Sequence, residues 1–196
     1  MGDGKVPCST EEAIRRMVAL SKIADSSYQL GTGSYNPHGF TRQYDCAGAI
    51  CEAFELARHR PGFASGRPQY ADQNDVDDDI NTNSMLEDAS GPRDLFEPVL
   101  EGPVLPGDLV MWATVTIKGE DGHSHVFIGH VLMVYQVPEG WDPSQGWHRV
   151  RMLQCCGGNG RKPAVIETDG SVIDRHNTVW PKPAHRAYVV RVKQLA

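Results

Sequence analysis

Apolar residues recur at helical spacing in two stretches of the first sixty positions and at strand spacing through most of the last ninety. Ala13, Ile14, Met17, Val18, Ile23 and Ala24 predict an amphipathic helix over residues 10–25. Ser9, with Glu12 three residues on, reads as its capping box. Gly31, Gly33, Asn36, Pro37 and Gly39 then make a loop. Ala49, Ile50, Ala53 and Phe54 supply the buried face of a second helix. It starts at Cys46 and runs to about Arg60, where Pro61-Gly62 stops it.

Residues 61–105 read as a polar insertion without strong periodicity. They carry an acidic run (Asp72, Asp75, Asp77, Asp78, Asp79) and one short helix with a capping box of Ser84 and Glu87. The run misplaces the glycine and the final glutamate of a calcium loop, so a solvated surface segment is expected. Pro106-Gly107-Asp108 opens a β region. Leu109 to Ile117, a turn at residues 118–122 and His125 to Val137 predict one long hairpin. Val150 to Cys156, Ala164 to Glu167 and Ala187 to Val192 are three further strands, the last closing the sheet. Helices first and strands afterwards define an α+β fold, with N-terminal helices packed on a central antiparallel sheet in a single domain, 1–196.

Charge and composition narrow the chemistry. A formal net charge of −6 gives no electrostatic argument for nucleic acid or an anionic membrane. No apolar run approaches the roughly 20 residues that span a bilayer, so no membrane insertion is expected. The first residues lack the apolar stretch of a secretory signal, and synthesis in the cytoplasm is expected. The five cysteines form no metal-type CxxC pair, so neither a metal nor another cofactor is expected.

Cys46 stands out among those cysteines because Asp45 is placed to cap the helix that it begins. A helix N-terminus favours an anion, so this thiol is expected to ionise more readily than an ordinary cysteine. A cysteine nucleophile needs a histidine base, and the base needs an orienting group. His38, His59, His176 and His185 fall in loops or beside prolines and read as surface residues. His125 and His130 lie five apart on one predicted strand and so face opposite sides. His130, aligned opposite Val110 to Trp112, is expected to line the face that the cysteine helix covers, with His125 in reserve.

Four motifs occur in order: Tyr28-Gln29-Leu30-Gly31-Thr32-Gly33, Asp45-Cys46-Ala47-Gly48, Pro106-Gly107-Asp108-Leu109-Val110 and Gly129-His130-Val131. Their order, across residues 10 to 192, resembles the NlpC-type cell-wall cysteine peptidases, small papain-like enzymes. Residues 80–85, 155–159 and 166–168 look similar to bacteriophage endolysin peptidase domains in particular. The resemblance implies a papain-like NlpC-type fold, with Cys46 as nucleophile and His130 as general base. Tyr28 would help form the oxyanion site beside Asp45 and the Cys46 N–H. The third residue, usually a histidine, falls at Gln154, and His148 is the reserve if the strand register differs. Ala47 stands where serine is usual.

The implied partner is a peptidoglycan stem peptide, and the implied reaction is hydrolysis of one of its amides through a thioester. The implied setting is a phage lysin, held in the host cytoplasm before release or carried on the virion. Two alternatives stay open: a papain-like amidase of the N-acetylmuramoyl-L-alanine type, and a non-catalytic wall-binding or virion structural module.

Overall fold

The computed structural model describes residues 8–23, 26–40, 42–61, 63, 79–91, 94–118, 122–157, 165–180 and 186–193. Most of the acidic run, residues 158–164 and the chain around His185 lie outside these residues. Four helices and an antiparallel sheet give a mixed α+β fold. Among the described residues no helix is long and apolar enough to cross a membrane.

Helix α1 spans Thr10–Leu20 and α2 spans Cys46–Ala53, joined through the short parallel ladder of β1 (Ser27–Tyr28) and β2 (Gln43–Tyr44). Both helices stop earlier than their apolar periodicity predicts. Ser21 closes α1 by turning its N–H back to the Met17 and Ala19 carbonyls. Beyond α2, Phe54 leaves helical geometry and Glu55 adopts φ +57°, which reverses the chain. Ser9 caps α1 by accepting the Glu12 N–H (3.2 Å), but the Glu12 carboxylate pairs with Arg15. Helix α3 covers Thr82–Ser90; its cap is Asn81, and Ser84 is the reciprocating partner rather than the cap itself.

The predicted hairpin is two ladders. β4 (Leu109–Trp112) and β7 (His130–Gln136) pair in the main sheet, while β5 (Val115–Lys118) and β6 (Ser124–Phe127) form a separate two-stranded unit. Side chains replace the ladder at the break: the Thr114 N–H donates to Asn83 Oδ1, and the Gly129 N–H donates to Thr114 Oγ1. With β3 (Phe96–Pro98), β8 (Arg151–Cys155), β9 (Val165–Asp169) and β10 (Tyr188–Val192), the main sheet runs β3-β10-β4-β7-β8-β9. β10 therefore inserts between β3 and β4 instead of closing an edge. Asp108 fastens that junction: the Arg191 guanidinium grips it at 2.7 and 2.8 Å, and the Leu105 N–H donates to it.

Strand alternation gives the sheet two buried faces. Leu109, Met111, Val131, Met133, Leu153 and Cys155 pack under the first three helices. Val110, Leu132, Val134 and Met152 form a second core with Trp141, Trp147 and Ile173 of α4 (Ser171–Val179). The first core is sealed at α2 by a close backbone approach. A Cβ on Gly48 would stand 2.1 Å from the Thr32 carbonyl oxygen, so the Gly31–Gly33 loop lies directly on the helix start. Gly48→Ala must push that backbone away and should cost about 3 kcal/mol of stability, read by denaturant unfolding. An unchanged midpoint would mean that the contact carries no weight.

Candidate active site

The buried Asp45 carboxylate organises the start of α2. Its Oδ1 accepts the Gly48 N–H at 2.6 Å and its Oδ2 accepts the Gly31 N–H at 2.8 Å, which ties loop to helix. The Arg58 guanidinium clamps both oxygens, at 2.7 and 2.8 Å, and also donates to the Thr32 carbonyl. Nothing in the spacing of the sequence points to Arg58; the chain reversal after α2 brings it back beneath the helix start.

Cys46, the first residue of α2, is 6% exposed. The nearby backbone amides of Val131 and Ala47 favour the thiolate. They are outweighed. Burial, followed by the Asp45 carboxylate, pushes the Cys46 thiol up to about 12. The expected acidification by the helix start is thus corrected: with the sulfur desolvated, the resting group is a neutral thiol.

The Val131 contact sets the thiol beside the His130–Val131 peptide. The His130 ring itself follows the other strand parity. Val131 and Met133 face α2, whereas His130 stands opposite Trp112, with ring centroids 5.4 Å apart. The expectation that the imidazole lines the helix-covered face is therefore corrected. It occupies the end of the strand, where the Cys46 sulfur meets the backbone from one side and the ring departs on the other.

Gln154 shares that parity with Met152 and accepts a hydrogen bond from His130 Nε2 at 2.8 Å. With its hydrogen on Nε2, the ring keeps Nδ1 as the lone-pair nitrogen. Burial lowers the His130 pKa, opposed by the Gln154 bond, so the imidazole also rests neutral. Trp112 is sandwiched, since His176 of α4 stacks on it at 4.2 Å with planes 17° apart. His176, read from sequence as a surface histidine, is part of the support around His130.

Tyr28 lies on the Cys46 side. Burial, then the neighbouring Cys46 and Asp45, drive its phenol pKa upward, so it keeps its proton to donate. Gly157 makes room for the ring: a Cβ there would come within 2.6 Å of Tyr28 Cβ. The structure thus brings Cys46, Asp45 and Tyr28 together at the start of α2, and pairs His130 with Gln154 on the opposite face of the sheet. His148 lies elsewhere, in a 3-10 turn, with Nδ1 3.3 Å from Asp174 of α4. His125 pairs with Ile117 in the separate ladder. Among the described residues no cluster suited to a metal ion occurs. Comparison with protein-family models, curated proteins and solved structures finds no match to this chain.

The geometry supplies two halves of a hydrolytic site: a thiol and a phenol beside helix-start N–H groups on one face of the sheet, and a neutral imidazole oriented by an amide on the other.

Buried thiols give the fold an alkaline limit. Cys51, fully buried in α2, is also pushed up to about 12 by burial, against an ordinary value of 9.0. The unfolded chain loses this proton first as pH rises. Its stabilising contribution is therefore intact below pH 9 and declines between pH 9 and 12. Cys51 alone should remove about 1 kcal/mol between pH 9 and 10. Denaturant titrations should show Cys51→Ala losing less than wild type over that interval; equal losses would contradict the assignment.

Proposed function

We propose that this protein is a papain-like cysteine hydrolase of the NlpC type that cuts an amide bond in peptidoglycan stem peptides. The observation that carries the reading is the His130–Gln154 hydrogen bond at 2.8 Å, on a strand whose next residue, Val131, packs in the same core as Cys46. The cell-wall substrate rests on the motif resemblance, and a phage lysin is the setting that the resemblance suggests.

On this reading the imidazole reaches the sulfur around the strand end when substrate binds, and Cys46 passes its proton to His130 as the sulfur attacks the amide carbonyl, forming the carbon–sulfur bond. The oxyanion is met by helix-start N–H groups and the Tyr28 hydroxyl. His130 then returns the proton to the leaving amine as the carbon–nitrogen bond breaks, which leaves a thioester. Water, deprotonated by His130, attacks the thioester and releases the acid and the Cys46 thiol. Gln154 holds the imidazole tautomer throughout but supplies no counter-charge for the imidazolium, which suits a pair that rests neutral.

Digestion of purified peptidoglycan, with mass spectrometry of the released fragments, tests this. Wild type should expose new amine and carboxyl ends within the stem peptide. Cys46→Ala should lower turnover at least about 1,000-fold with folding intact. Gln154→Ala should lower kcat on the order of 100-fold, and Gln154→His, which restores an acceptor, should recover much of it. Cleavage at the sugar–peptide amide would instead make the protein an amidase. Wall binding without fragments would make it a non-catalytic module.

A further inference from the structure

A cavity of about 790 Å3 opens beside the start of α2, lined by Ser27, Thr32, Ser34, Arg42, Gln43 and Arg58 among others. The β1–β2 ladder divides it from Cys46. Tyr28 pairs with Tyr44, which is fully buried in the first core, and Tyr28 lies beside Cys46. Ser27 pairs with Gln43, and by strand alternation these two point the other way, into the cavity wall. The two sites stand back to back.

The described lining carries positive charge and no negative charge. It holds two arginines, four hydroxyl side chains, the amides of Asn36 and Gln43 and the backbone of the glycine loop, and among the described residues no carboxylate. Asp45 neutralises Arg58 from behind. Arg42 is exposed and makes no ion pair among the described residues, so its charge remains for a ligand. Ser34 Oγ accepts the Arg58 backbone N–H at 3.0 Å, which leaves its own hydrogen to donate. A cationic concavity on a chain of net charge −6 draws anions locally against the field of the whole molecule. Its volume matches that of small-molecule sites.

We infer that this cavity is a second binding site, for a small ligand bearing a carboxylate or phosphate group, with Arg42 supplying the recruiting charge and the hydroxyls completing the contacts. The inference does not depend on the hydrolase reading.

Isothermal titration of the full chain with inorganic phosphate, and separately with citrate, at constant ionic strength set by chloride, tests it. Wild type should bind at least one anion saturably, at one site per chain. Arg42→Gln should weaken that binding about tenfold or more. Cys46→Ala should bind as wild type does, which separates this site from catalysis. Saturation by phosphate alone assigns a phosphate ligand, and saturation by citrate alone assigns a carboxylate. Two results would overturn the inference: no saturable binding of either anion up to about 10 mM, or binding that Arg42→Gln leaves unchanged.

Discussion

One buried carboxylate sets the position of everything proposed to be chemical here. Asp45 is 2% exposed, and a charge so placed is tolerated only when each oxygen is satisfied. It takes two backbone N–H groups and the fork of Arg58, and those partners belong to three separate segments: the glycine loop, the first turn of α2 and the chain beyond α2. The carboxylate therefore does more than cap a helix. It holds the loop bearing Tyr28 against the helix bearing Cys46, at the point where Gly48 allows backbone to touch backbone. The same solution recurs where the frame must be rigid. Asp88, fully buried, accepts the N–H groups of Asp94, Leu95 and Phe96; Glu52, also fully buried, joins Arg16 of α1 to α2.

That frame dictates an unusual resting chemistry. Burial makes Cys46 costly to ionise, and the carboxylate that places it adds to that cost. His130 is biased the same way, toward its neutral form. On the proposed reading, thiolate and imidazolium form together as substrate enters. Each then stabilises the other, and neither is populated as a standing ion pair. An amide at the third position fits such a site, because it orients the ring without stabilising the charged imidazole in advance.

The start of α2 was legible in the sequence because aspartate, cysteine and a four-residue apolar face occur together. The pairing of His130 opposite Trp112 was legible because strand order and hairpin length constrain it. The end of α2 was not, since a left-handed turn at Glu55 leaves no mark on periodicity. The split hairpin depends on Thr114 and Gly129 meeting residues of α3 that are distant in sequence; a Cβ on Gly129 would stand 2.2 Å from Thr82 Oγ1. Helix α4 leaves little mark on the sequence because Ile173 is its one buried residue and no side chain caps it. The facing of His130 turns on a single residue of strand parity: Val131, not His130, points at α2. Arg58 has no local signature at all, because its role comes from chain reversal.

The central claim is that Cys46 forms a covalent acyl intermediate with the help of His130. Rapid acid quenching of the protein mixed with a soluble stem-peptide fragment, followed by intact-mass and peptide mapping, tests it most directly. A mass increment equal to the acyl portion of the fragment, sited on Cys46, removed by hydroxylamine and absent from His130→Ala, is the predicted result. Product formation with the acyl group on another residue, or by Cys46→Ala at the wild-type rate, would contradict the account.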